Sequence, residues 1–126
     1  MATEFCEVYR CKVCGNIVEV LQSGAGELVC CGVPMTRLDA NTVDASREKH
    51  VPAVEASDRG LLVKIGSAPH PMISEHFIEW IELIDGDRIE RRHLKPGEAP
   101  QAFFACPCRS GVTVRAYCNL HGLWKN

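Results

Sequence analysis

The sequence predicts a mainly β protein in two parts: a small metal-stapled module over residues 1–37, then an all-β sandwich over residues 38–126. Three observations carry this prediction. Short runs rich in Val, Ile, Leu and Phe recur between clusters of Gly, Pro and Asp, the pattern of short strands joined by turns. Cys11, Cys14, Cys30 and Cys31 crowd a first segment with too little apolar mass for a substantial core, so metal binding would supply much of its folding energy. His50, His70, His76 and His121, with Cys118, fall in the remainder. They sit in loop contexts marked by Gly, Pro or charge rather than inside apolar runs.

Each element follows in order. Cys11-Lys12-Val13-Cys14-Gly15-Asn16 reads as a tight turn carrying two thiols. Ile17, Val18, Val20 and Leu21 give a short apolar stretch, and Ser23-Gly24-Ala25-Gly26 turns the chain. Leu28 and Val29 lead into Cys30-Cys31-Gly32. Residues 38–47 are polar and poorly periodic, a linker and approach loop. Residues 51–56 and 61–65 read as strands split by Asp58-Arg59-Gly60. Residues 77–84 have apolar positions at helical spacing, but close turn signals and their Ile, Phe and Trp content favour a strand. Residues 88–94 end at Lys95-Pro96-Gly97, and residues 102–105 and 113–117 complete the set. There is no internal repeat.

Bulk properties narrow the function classes. The 126 residues are 46% hydrophobic and 24% charged, with two Trp, two Tyr and four Phe, so the core must be mostly aliphatic. The net charge of -2 is evenly spread, and no polybasic tail favours nucleic acid. Eight cysteines would suit an extracellular disulfide scaffold. Against that, the chain begins MATEFCEVYR without an apolar signal region, and no run approaches membrane-spanning length. The expectation is a cytoplasmic metal protein.

The thiol set has the spacing Cys-x2-Cys followed by an adjacent cysteine pair. Four thiolates around a tetrahedral ion suit iron or zinc, and sequence alone weighs these nearly equally. An iron–sulfur cluster is a third option, though the spacing matches neither common cluster pattern. Adjacent side chains normally point apart, so Cys30 and Cys31 can bind one ion only if the backbone there is distorted. Gly15 and Gly32 let backbone N–H groups approach sulfur. In the second set, Cys118-x2-His121 places a thiolate and an imidazole about one turn apart. Any one of these histidines alone would be an ordinary surface residue; four together with Cys118 are much harder to explain that way.

The ordered stretches Val8-Tyr9-Arg10-Cys11, Cys30-Cys31-Gly32, Glu48-Lys49-His50-Val51-Pro52, His70-Pro71-Met72, Glu79-Trp80-Ile81 and Cys118-Asn119-Leu120-His121-Gly122 make a jointly specific pattern. Through them nearly the whole chain resembles the two-iron desulfoferrodoxins, a class of superoxide reductase. The resemblance implies two iron ions per chain. One lies in a desulforedoxin-like domain over 1–37, held by Cys11, Cys14, Cys30 and Cys31. The other lies in an immunoglobulin-like domain over 38–126, with His50, His70, His76 and His121 equatorial and Cys118 axial. It further implies a homodimer, a rubredoxin-like electron donor, and one-electron reduction of superoxide to hydrogen peroxide. The chemistry agrees, since five protein ligands leave one octahedral position for a small oxidant. Lys49 becomes the candidate anion guide, and Glu48 a carboxylate able to occupy the sixth position of the oxidised site. By residue type alone, Lys49 would be an ordinary surface lysine.

Three cysteines fall outside the pattern: Cys6, Cys106 and Cys108. Free thiols are the expectation there, with an intermolecular disulfide or a third metal site as the alternatives. His93 lies in a basic strand and is left out of the metal site. Competing functions are a noncatalytic two-iron electron carrier, a structural metal-binding interaction protein and a superoxide dismutase.

Overall fold

The computed structural model describes residues 2–42, 50–66, 69–106 and 111–126. Glu48, Lys49 and Cys108 lie outside the described residues. The chain divides into two compact units, with the boundary between Asp39 and Ala40. Both are built from β-strands, twelve among the described residues.

The first unit holds β1 (Val8–Arg10), β2 (Ile17–Glu19), β3 (Val29–Cys30), β4 (Val33–Pro34) and β5 (Thr36–Leu38). β1 lies between β2 and β5, antiparallel to both, and β3 pairs with β4. Leu38, at the start of the expected linker, ends β5 opposite Val8. Its described buried apolar residues are Val8, Cys11 and Val20, while Phe5, Val13, Val18, Leu21 and Val29 are exposed. So small a core is a weak source of folding energy, which leaves the thiol cluster as the natural staple.

The second unit is a two-sheet sandwich. Its strands are β6 (Pro52–Ala56), β7 (Leu61–Ile65), β8 (Ile78–Asp85), β9 (Arg88–His93), β10 (Gln101–Phe104), β11 (Thr113–Cys118) and β12 (Gly122–Lys125). One sheet runs β10-β7-β6, the other β12-β11-β8-β9, and all pairs are antiparallel. The core fills the space between them. Leu61, Val63, Ile65, Ala102 and Phe104 come from one sheet; Ile78, Ile81, Leu83, Val114, Ala116 and Cys118 come from the other. This three-plus-four arrangement is the all-β sandwich the strand pattern predicts, and it has the immunoglobulin-like form that the family resemblance implies.

β8 explains its own ambiguous periodicity. It sits between β9 and β11 and is buried on both faces. Ile81 and Leu83 point into the core. On the opposite face Glu82 is fully buried, its Oε1 accepting from Arg115 Nε at 2.8 Å, and it also pairs with Arg91. Trp80 on that face stacks with Tyr117 at 5.9 Å. Two buried faces erase the alternation that marks a half-exposed strand.

Two expectations change. β12 was not foreseen, because it follows its partner after only three residues. Cys106, expected to be a free thiol, is disulfide-bonded and buried in the core cluster. Cys6 carries no disulfide.

Gly60, just before β7, lies at close quarters with the end of β10, its neighbour in the same sheet. Its φ is +151°, and a Cβ there would lie 2.2 Å from the Phe104 carbonyl oxygen. Gly60→Ala should therefore lower stability by about 1–3 kcal/mol, the usual range for forced overpacking. Gly86→Ala also sits at positive φ but meets open space, and should cost only the local backbone strain of about 1–2 kcal/mol. Urea unfolding midpoints of the two variants check this: the Gly60 variant should be destabilised at least as much as the Gly86 variant, with overpacking and backbone strain adding.

Candidate metal centres

The first cluster is assembled by two turns. Cys11 N–H donates to the Asn16 carbonyl at 2.8 Å, and Gly15 N–H to the Cys11 carbonyl at 2.9 Å, closing the Cys-x2-Cys turn. Gly15 at φ +83° and Gly32 at φ +73° take left-handed conformations that favour glycine. Cys31 does the same at φ +54°, uncommon for a residue with a Cβ. This is the backbone distortion that adjacent thiol ligands require. It turns the Cys31 sulfur back to within 3.9 Å of Cys30 Sγ.

The ligand atoms of Cys11, Cys14, Cys30 and Cys31 all lie within 4.8 Å of one another. Cys14 Sγ and Cys30 Sγ are 3.6 Å apart. A tetrahedral ion with metal–sulfur bonds of about 2.3 Å requires sulfur–sulfur edges of about 3.8 Å. The donor set therefore fits a four-thiolate metal site. Its electrostatics point the same way. The Cys14 backbone N–H, 3.5 Å from Cys11 Sγ, leads the effects that lower the Cys11 thiol to about 6. Cys31 is pushed up to about 12, chiefly by hydrogen bonding to Cys14, and Cys30 is raised for the same reason. Without a cation the thiolate is favoured at Cys11 and opposed at Cys30 and Cys31; a metal binding all of them must displace the protons held there.

The second cluster sits at one end of the sandwich. Cys118 is the last residue of β11, where the pairing with β8 shifts register between Tyr117 and Cys118. A bulge there re-aims the final side chain. Asn119, Leu120 and His121 then form a three-residue hairpin loop closed by the Cys118–Gly122 pair, with Gly122 at φ +86°. That loop sets the Cys118-to-His121 spacing. His76 ends a tight turn in which Ile73 and His76 exchange backbone hydrogen bonds at 3.0 Å. His70 lies on the connection from β7 to β8, and His50 lies just before β6.

The ligand atoms of His50, His76, Cys118 and His121 lie within 4.8 Å of one another. His70 is not part of that mutual set, yet its Nε2 is 3.6 Å from Cys118 Sγ. The four imidazoles close a cycle of edge contacts. Ring centroids are 4.6 Å apart for His50–His70, 4.8 Å for His70–His76, 5.0 Å for His76–His121 and 5.0 Å for His121–His50. Cys118 Sγ is 3.8 Å from His121 Nδ1. His50, His70 and Cys118 are buried, while His121 is exposed, so one side of the cluster faces water. Three imidazoles and one thiolate suit a transition metal, with His70 poised beside them.

Supporting residues were not legible in the sequence. His70 Nδ1 lies 2.7 Å from the Pro71 carbonyl; as the donor it leaves Nε2 deprotonated and turned to the cluster. Asn119 ties two ligand loops together: its Oδ1 accepts from Phe77 N–H at 2.9 Å and its Nδ2 donates to the Glu75 carbonyl at 3.0 Å. Trp124 packs against His50. Asn119 and Trp124 stand within or just after the Cys118–His121 motif, which was the available signal, but their partners depend on the fold. His93 is exposed on β9 and belongs to neither cluster.

Comparison with known proteins matches this architecture. Residues 3–38 match the desulfoferrodoxin N-terminal domain family, and residues 42–126 match the desulfoferrodoxin family. The desulfoferrodoxin of Syntrophotalea carbinolica is 59% identical over 121 residues, covering 95% of this chain and 94% of that protein. The crystal structure of the superoxide reductase from Treponema pallidum superposes with a TM-score of 0.75 at 29% identity, covering 95% of each chain. A one-iron superoxide reductase from Giardia intestinalis matches 64% of this chain and 96% of its own, at 32% identity and a TM-score of 0.55. With both family regions matched and the two ligand clusters formed, the chain belongs to the desulfoferrodoxin family.

Proposed function

We propose that this chain reduces superoxide to hydrogen peroxide at the histidine–cysteine cluster, using electrons from an external rubredoxin-like donor. The observation that carries the reading is the closed cycle of four imidazoles around the buried Cys118 thiol. In this reading His70 joins His50, His76, His121 and Cys118 as the residues that would hold an iron ion. The short Cys118 Sγ to His70 Nε2 separation supports including His70. Iron bound there would supply a ferrous–ferric couple for one-electron chemistry on a small anion. The Cys11, Cys14, Cys30 and Cys31 site would hold the second iron and supply an electron-entry site. The Treponema and Giardia relatives, named superoxide reductases, support the same assignment.

The residues divide the work. Exposure of His121 gives the substrate an aqueous approach. Lys49, adjacent to His50 in the chain, draws superoxide by charge and orders the water that protonates product. Glu48, two positions before His50 in the chain, would supply a carboxylate ligand to the oxidised centre. Each turnover takes one electron and two protons per superoxide, and the donor restores the electron. The chain acts as a cytoplasmic homodimer. An apolar groove in the first unit, lined by Val18, Val20, Leu28, Val29 and Met35, suits a second copy. No helix among the described residues is long and apolar enough to cross a membrane.

Metal analysis joined to anaerobic stopped-flow mixing with superoxide tests the whole reading. Two irons per chain and one superoxide consumed per oxidised histidine–cysteine site are expected. Zinc in both sites, or evolution of oxygen as from a dismutase, would refute it. Lys49→Ala should slow the second-order reaction with superoxide by roughly 10-fold at low salt and flatten its ionic-strength dependence; an unchanged low-salt rate would remove the steering role. Cys118→Ser should abolish the thiolate charge-transfer band of the oxidised site and change its potential, while far-ultraviolet circular dichroism stays β-like. A retained band would exclude Cys118 as ligand.

A further inference from the structure

The soft point of the second centre is His50. It is 1% exposed, yet it precedes β6 and belongs to no strand. An imidazole binds metal through an in-plane lone pair, so its ring must be held at one tilt. The torsion that sets this tilt in histidine is broad and weakly self-determined. Packing must define it.

Trp124 supplies that packing. Its ring is stacked on His50, with centroids 4.5 Å apart and planes 13° from parallel. The His70 and His121 rings meet His50 edge-on, at 60° and 68°. Trp124 therefore covers a face of the imidazole and leaves its edge for the cluster. Its indole N–H donates to the His121 carbonyl at 3.1 Å. One side chain thus touches histidines 71 positions apart in the chain. The indole is itself well anchored. Trp124 lies opposite Ala116, whose small side chain leaves room on the inner sheet face. Asn41 brackets it: Asn41 N–H donates to the Leu123 carbonyl and Lys125 N–H to the Asn41 carbonyl, both at 2.9 Å.

We infer that Trp124 is a positioning residue of the histidine–cysteine centre, fixing the ring plane of His50 by stacking and the backbone of His121 by its indole N–H. This rests on the reading that the cluster holds a metal, but not on the identity of the substrate. A residue supporting a ligand in this way typically changes metal affinity by 10–100-fold when lost.

The test uses the full chain, stripped of metal and reloaded with Co(II), whose absorption bands distinguish a four-thiolate centre from a histidine–thiolate centre. Chelator competition reads both centres in the same sample. Trp124→Leu should weaken Co(II) retention at the histidine–cysteine centre by roughly 10–100-fold relative to the thiol centre, and shift its ligand-field bands. Trp124→Phe keeps a ring to stack but loses the N–H; it should recover most of the retention while keeping a smaller band shift. Should the Leu variant fail to fold, the Phe variant decides, and unchanged bands and retention there count against the inference. Unchanged retention and bands in a folded Leu variant would overturn it. So would equal losses at both centres that track the unfolding midpoint of the metal-free protein, the mark of a mere core filler. Wild-type chain that binds no Co(II) at this centre would overturn both the inference and the reading beneath it.

Discussion

The pairing of β11 with β8 is the constraint on which the second unit depends. β11 contributes Val114 and Ala116 to the core and ends in Cys118. β8 contributes Ile78, Ile81 and Leu83, and it begins two residues after His76. The same register that buries the core therefore brings a thiol and an imidazole from distant parts of the chain to one end of the sandwich. Slipping it by one residue would exchange Ile81 and Leu83 for Glu82 and Trp80 in the core. The ion-paired burial of Glu82 between Arg91 and Arg115 opposes that slip, because a displaced carboxylate would lose both partners. Core, register and ligand geometry are one decision, made once.

The two units solve the problem of holding a cluster in opposite ways. The second builds a hydrophobic core and mounts ligands on the loops at its edge. The first has hardly any core to mount on. Its ligands come from two turns, and the cost shows in the backbone: Cys31, a residue with a Cβ, occupies left-handed space to turn its sulfur toward Cys30. Such strain persists only where something else over-determines the conformation. A four-coordinate ion would do so here.

How much of this could be read from the chain follows from what each residue depends on. Residues 61–65 form β7 at the predicted limits, since Gly60 and the turn after Ile65 punctuate them. Residues 77–84 looked partly helical because a central strand buried on both faces has no polar side to show. The strands of the first unit are two or three residues long, too short for any periodicity, and β12 hides behind a three-residue loop. Thiols and imidazoles announced themselves by residue type and spacing. Asn119 and Trp124 did not, because an amide and an indole acquire their roles only once the register places Phe77 and His50 against them. The Cys106 disulfide was missed for a related reason: residue type alone does not fix the oxidation state of a thiol.

The double tie from Asn119 has a consequence for electron transfer at this cluster. Whenever the charge at a metal site changes, its bonds lengthen or shorten, and the work of rearranging the ligands adds to the barrier. Asn119 joins the loop bearing Cys118 and His121 to the turn bearing His76, a tie that opposes separate movement of these three side chains. A donor set braced in this way starts near the geometry of either charge state. An amide side chain that need never touch a metal would in this way keep the reorganisation energy of a bound ion small.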